Sequence, residues 1–129
     1  MSAKILIIED ETDLVKALAM RLKAEGYQVA FVTDGNSALE RARAEKPDLI
    51  LLDICLPGPN GFEVFQQLRE DPAMEHIPVI FLTARSSMED RQKARHLGAV
   101  GYVTKPFKWA HLIKLVHDVC TAPGPADGR

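Results

Sequence analysis

The chain has 129 residues, 47% of them hydrophobic, and a formal net charge of −2, which suits one domain with one sizeable core. Lys and Arg are scattered, so neither a direct nucleic-acid partner nor an anionic membrane surface is expected. No apolar run approaches the ~20 residues of a bilayer span, Met1 to Lys4 are too short for a signal peptide, and Cys55 and Cys120 make no disulfide framework, so the reading is a cytoplasmic protein.

The first apolar run is "KILII", Lys4 to Ile8, read as a strand. After it Leu14, Leu18 and Leu22 recur every four residues with Ala17 beside them, the spacing of a helix face. Thr12 or Asp13 can cap this helix and Gly26 stops it. The second strand is Tyr27 to Val32. Asp34 or Asn36 opens a second helix through Ala38, Leu39 and Ala42, and Pro47 ends the region.

Asp48 to Leu52 form the third strand, which delivers Asp53 into the Pro- and Gly-rich loop "ICLPGPNG". Phe62, Phe65 and Leu68 then mark a third helix. Pro72 and Pro78 bracket the connection to the fourth strand, Pro78 to Leu82. The fourth helix, within "SSMEDRQKARHLG", is mostly polar, with Met88, Ala94 and Leu97 as its thin apolar stripe. Val100 to Thr104 is the fifth strand. The fifth helix runs from Lys108 to Cys120, with Trp109, Leu112, Ile113, Val116 and Val119 on one broad face. The tail "TAPGPADGR" reads as disordered or as the start of a linker, so residues 1–120 are expected to be the domain and 121–129 an appendage.

Strand and helix alternate five times, which predicts a parallel sheet covered by helices on both faces. In such sheets ligands bind beyond the carboxyl ends of the strands. Glu9, Asp10 and Glu11 lie at the end of the first strand, Asp53 at the third, Thr83, Ala84 and Arg85 at the fourth, and Thr104, Lys105 and Pro106 at the fifth. If the first and third strands are neighbours, Glu9, Asp10 and Asp53 crowd together, and crowded carboxylates need compensation to stay ionised. Mg²⁺ suits them: it prefers oxygen ligands, keeps several waters and takes one or two carboxylates plus a phosphate. Three carboxylates and the Lys105 ammonium leave two negative charges, which one Mg²⁺ cancels. A carboxylate in that setting can act as a nucleophile toward phosphorus, with Mg²⁺ and Lys105 offsetting charge on the transferred group. The Thr83 hydroxyl can hydrogen-bond one of its oxygens, and the carbonyl of Cys55 can serve as a metal ligand.

From about Lys4 to Cys120 the chain resembles the receiver domain of two-component response regulators, with the single-domain pattern of the chemotaxis regulators. "ILIIEDE", "LILLDICLPGPNGFEV", "PVIFLTA" and "GYVTKPF" carry the resemblance, in the family's order and spacing. It implies a flavodoxin-like (βα)5 three-layer sandwich with strand order 2-1-3-4-5. It implies phosphorylation at Asp53 by a histidine kinase or histidine phosphotransfer protein. It implies Mg²⁺, or Mn²⁺ in its place, held by Asp10, Asp53 and the Cys55 carbonyl, with Glu9 acting through water. Thr83 and Tyr102 are the implied switch pair, Ala84 flanks the phosphoryl group, Lys105 contacts it, and the Lys105–Pro106 bond is implied to be cis. Cys55 and Arg85 occupy positions that tune the phosphoryl lifetime. The resemblance also implies self-catalysed phosphotransfer and autodephosphorylation rather than turnover of a substrate. Its output face is the fourth helix, fifth strand and fifth helix, which meet a downstream protein or output domain.

Some residues depart from the family's usual pattern. Glu9 and Asn60 stand where Asp is commoner, and "GAVGY" lacks the acidic pair of the DNA-binding subfamily that dimerises through the output face. The alternative reading is a Mg²⁺-dependent hydrolase acting through an aspartyl phosphate. Such an enzyme would want a second acid two residues after the nucleophile, where Cys55 stands. A flavin or nucleotide carrier of the same architecture would want a Gly-rich phosphate loop after the first strand, and none is there. His76, His96, His111 and His117 share no ligand spacing and read as surface residues.

Overall fold

The computed structural model describes residues 2–122. Five strands, β1 (Lys4–Ile8), β2 (Gln28–Val32), β3 (Leu49–Leu52), β4 (Val79–Thr83) and β5 (Gly101–Thr104), alternate with five helices. The helices are α1 (Thr12–Ala24), α2 (Ala38–Glu45), α3 (Gly61–Glu70), α4 (Met88–His96) and α5 (Trp109–Thr121). All strand pairs are parallel, in the order β2-β1-β3-β4-β5, which is the flavodoxin-like order. Strand order reverses at β1, so the crevice beyond β1 and β3 is where a ligand site belongs.

The near-continuous apolar strands follow from cover on both faces. Successive side chains alternate, so Leu6, Ile8, Ile50, Leu52, Val79 and Phe81 join one core with α2, α3 and α4. Ile5, Ile7, Leu49, Leu51, Ile80 and Leu82 join the other with α1 and α5. On the first face Phe81 is the hub, with ring centroids 5.4 Å from Phe62, 5.5 Å from Phe65 and 6.0 Å from Tyr102. On the second, Val15, Leu18 and Leu22 of α1 and Leu112 and Val116 of α5 are buried. Trp109 is partial cover there, edge-on to Phe107 at 5.0 Å and 5.7 Å beneath the Arg21 guanidinium.

Several local expectations are corrected. Helix α1 is preceded by Glu11 with no side-chain cap, and Thr12 is already helical. Asp34 accepts hydrogen bonds from the Ser37 amide at 2.8 Å and from its hydroxyl at 3.4 Å, so it organises the turn before α2 while Ser37 occupies the cap position. Met88 is 71% exposed and takes no part in the buried stripe of α4. At 100° per residue the stripe that contains Ala94 and Leu97 passes through position 90 rather than 88, and Asp90 is the residue buried there. Helix α5 continues through Thr121, one residue into the stretch expected to be tail. Residues 123–129 lie outside the described residues.

Candidate phosphoryl and metal site

Each candidate site residue is placed by a strand end. At the end of β1, Glu9 is 2% exposed while Asp10 is exposed at the rim of the crevice. The Glu9 amide donates to Val32 O at 3.1 Å, and its carboxylate accepts the Glu11 amide at 3.1 Å. Asp53 follows β3, is 5% exposed, and donates its amide to Ile8 O at 3.0 Å. That backbone bond carries the β1–β3 ladder one step past the strands and brings Asp53 beside Glu9. One carboxylate oxygen from each of Glu9, Asp10 and Asp53 lies within 4.8 Å of the others.

Lys105, just beyond β5, reaches across the strand ends. Its Nζ donates to Glu9 Oε1 at 2.7 Å and Asp53 Oδ2 at 3.1 Å, and lies 3.8 Å from Glu11 Oε1. The Lys105–Pro106 peptide is cis. Burial pulls the Lys105 ammonium down, but the hydrogen bonds and charges of Glu9 and Asp53 outweigh it, and the net shift is upward. Burial pushes Glu9 up to about 7; the Lys105 hydrogen bond opposes the rise and the Asp53 charge adds to it. Lys105 alone therefore does not supply the positive charge that three converging carboxylates call for.

The loop after Asp53 is held open for this geometry. The Asp53 Oδ1 atom accepts the Cys55 amide at 3.2 Å, and Gly61 donates its amide to Ile54 O at 2.8 Å. Asn60 caps α3 in a reciprocal box with Glu63, at 2.9 and 3.0 Å. The Cys55 side chain is exposed, and its carbonyl accepts no protein hydrogen bond among the described residues. The clustered carboxylate oxygens make a hard-oxygen donor set, which fits Mg²⁺ or Mn²⁺.

On the other side Thr83 is fully buried at the end of β4, and Ala84 is exposed after it. Tyr102, half-buried on the edge strand β5, does not hydrogen-bond Thr83. Both residues instead bind Arg85: its amide donates to Thr83 Oγ1 at 3.3 Å, and its carbonyl accepts the Tyr102 hydroxyl at 2.6 Å. The Arg91 guanidinium lies 5.0 Å from the Tyr102 ring centroid and donates to Thr104 Oγ1 at 3.2 Å. Burial, the largest effect, raises the Tyr102 hydroxyl's pKa. Sequence reasoning missed Asp90, which pairs with Arg85 at 2.8 Å. An acid in the first turn of a helix ordinarily reads as a solvated partner of the helix dipole, so only the burial of position 90 could have marked it.

The model of the response regulator receiver domain matches residues 5–117. The chain belongs to the response regulator receiver family. The alkaline phosphatase synthesis transcriptional regulatory protein PhoP of Bacillus subtilis is 44% identical over 107 residues, which is 83% of this chain and 44% of that protein. The chain spans less than half the length of the curated relatives it matches. Among solved structures, the non-phosphorylated HemR receiver domain of Leptospira biflexa superposes with a TM-score of 0.89 at 28% identity, covering 96% of this chain and 98% of that one. The receiver domain of the Pseudomonas aeruginosa sensor histidine kinase PA1611 has a TM-score of 0.85 at 30% identity, covering 95% and 100%. That structure holds a magnesium ion in its active-site cleft. Receiver domains are signalling switches of two-component systems that bind Mg²⁺ at an acidic pocket, and this chain carries an acidic cluster in Glu9, Asp10 and Asp53. No described helix is long and apolar enough to cross a membrane.

Proposed function

We propose that this receiver domain accepts a phosphoryl group on Asp53 from a histidine kinase or histidine phosphotransfer protein, and signals through its α4–β5–α5 face. The observation that carries the reading is the placement of Asp53. It is a nearly buried carboxylate with one oxygen on Lys105, the other on the Cys55 amide, and two further acids alongside. Bound Mg²⁺ supplies positive charge for phosphoryl oxygens that the protein itself lacks. Asp10, Asp53 and the Cys55 carbonyl would hold it, with Glu9 acting through water.

The Asp53 carboxylate attacks phosphorus, a new P–O bond forms, and the P–N bond to the donor imidazole breaks. The two hydrogen bonds on Asp53 fix its orientation, which lowers the entropic part of the barrier. Lys105, already among the acids, offsets negative charge on the incoming group at no cost of reorganisation. Thr83 and the amide of Ala84 stand at the end of β4 to take phosphoryl oxygens. If Thr83 turns toward the phosphoryl group, its bond to Arg85 is lost, and Tyr102 is the next side chain in line. The face that would change contains a groove of about 620 Å³ lined by Arg91, Tyr102, Val103, Phe107, Lys108 and Lys114, among others. Lys114 is paired with Asp118 of the same lining at 2.9 Å, and Arg91 and Lys108 leave this groove with an excess of positive charge in a chain of net charge −2, which favours a downstream partner with an acidic contact segment.

The test is intact-mass measurement after incubation with Mg²⁺ and acetyl phosphate. The wild-type chain and Glu11→Gln should each gain one phosphoryl group, and Asp53→Asn should gain none. A phosphorylated Asp53→Asn protein would remove Asp53 from the mechanism.

A further inference from the structure

Asp90 is a buried acid in the first turn of α4, only 8% exposed. Its carboxylate accepts a two-point hydrogen bond from Arg85, Nε to Oδ2 at 2.8 Å and Nη2 to Oδ1 at 3.2 Å. The Asp90 amide is capped by Ser87 Oγ at 3.1 Å, so the acid is held rigidly. The main chain of Arg85 meanwhile bonds Thr83 on one side and Tyr102 on the other. One residue thus ties together the end of β4, the first turn of α4 and the edge strand β5.

The guanidinium itself is not part of the core. The Arg85 side chain is 48% exposed, so it can swing without opening the packing of either face. Asp90 above all, and in lesser measure charge at Cys55 and Tyr102, raise its pKa above the usual value. The Arg85 main chain is bonded to Thr83 Oγ1 at the end of β4, and β4 pairs with β3, the strand that delivers Asp53. A guanidinium fork matches a carboxylate and a phosphoryl group equally well in shape. A phosphoryl group carries close to two negative charges and a carboxylate one, so the phosphoryl group is the stronger competitor.

We propose that Arg85 is a phosphoryl-binding residue held in reserve by Asp90, and that occupancy of Asp53 draws it from one anion to the other. The proposal rests on the phosphoacceptor reading of Asp53. When Arg85 leaves, Asp90 becomes an unpaired buried carboxylate, which is strongly unfavourable. The first turn of α4 then shifts to bring that carboxylate to water. Because the main chain of Arg85 bonds Thr83 and Tyr102, a shift of this loop with α4 reaches both residues. Site and helix are thereby coupled through a single side chain with two mutually exclusive partners, and the coupling is reciprocal. Whatever holds α4 in its resting place also holds Arg85 away from the phosphoryl group.

The probe is beryllofluoride with Mg²⁺, a phosphoryl mimic, titrated against wild type, Asp90→Asn, Arg85→Gln and the double variant. Asp90→Asn frees the guanidinium, so its affinity for the mimic should rise about three- to tenfold, as one charge-assisted contact made without competition would give. Arg85→Gln and the double variant should show no rise, because the gain runs through Arg85. A pair that merely staples the loop to α4 predicts that Asp90→Asn and Arg85→Gln behave alike and that neither tightens binding; that result overturns the proposal. A second readout needs no variant. In the wild-type chain, saturation with the mimic should speed amide exchange in Met88–His96, and protection of that segment left unchanged would also overturn it. A wild-type chain that takes up no beryllofluoride overturns the phosphoacceptor reading itself.

Discussion

Gly61→Ala isolates the step by which the loop after β3 positions Asp53. Gly61 opens α3, and an added Cβ would lie 2.3 Å from Asp53 O, 2.6 Å from Ile54 Cα and 2.9 Å from Asp53 C. Ordinary contact begins at 3.4 Å, so the backbone of Asp53 or of Gly61 must move by about 1.1 Å. None of the three atoms belongs to a flexible side chain, and the Gly61 amide is bonded to Ile54 O at 2.8 Å. Helix propensity favours Ala by up to about 1 kcal/mol. Overpacking costs about 1–3 kcal/mol, and a strained or lost buried hydrogen bond adds about 1 kcal/mol more. The steric terms win, and the variant should be less stable by about 1–3 kcal/mol net. With a urea slope of about 1–3 kcal/mol/M, the unfolding midpoint should fall by about 1 M. The displaced carbonyl carries the Asp53 carboxylate away from Glu9 and Lys105, so affinity for Mg²⁺, followed by the ligand-induced shift in melting temperature, should weaken as well. A variant within ~0.5 kcal/mol of wild type with unaltered Mg²⁺ affinity would refute the claim that this close approach sets the position of Asp53.

Two further outcomes are expected. Millimolar Mg²⁺ should raise the melting temperature, because a ligand at ten times its dissociation constant adds about 1.4 kcal/mol; Asp10→Asn should blunt the response, and a melting curve indifferent to Mg²⁺ in the wild type would count against the metal site. Asp71 is held below the usual carboxylate range by the Ala73 amide at 2.9 Å and by Arg43 at 2.7 Å. A group whose folded pKa is lowered adds stability above its unfolded pKa and loses it as pH falls through the folded one, so Asp71→Asn should be less stable than wild type at pH 7 and the gap should close in acid; a gap that persists unchanged at pH 2 would contradict the ionic origin.

The linear sequence carried the architecture because the relevant forces are local or periodic. Runs such as "LILL" have no polar face, so they demand cover on both sides, and Leu14, Leu18 and Leu22 repeat at the helical period. Glu9, Asp53, Thr83 and Lys105 each end an apolar run, and parallel connectivity sends every such end to the same edge. What the sequence left undecided is whatever depends on the rotation of one element against another. The fourth helix has so few apolar residues that its pattern could not choose between Met88 and Asp90 for the buried side. An acid is buried only when a partner from elsewhere in the chain offsets its desolvation, and that partner, Arg85, becomes visible only once the loop before α4 has folded back. Thr83 and Tyr102 stand 19 positions apart and share no hydrogen bond; their common partner is the backbone of Arg85, and a peptide group looks the same at every position of a sequence. The elements and the gathering of Glu9, Asp53, Thr83 and Lys105 at one edge were therefore legible from residue types and spacing, while the pairing of Arg85 with Asp90 was decided by tertiary packing, where a buried charge must find its counter-charge.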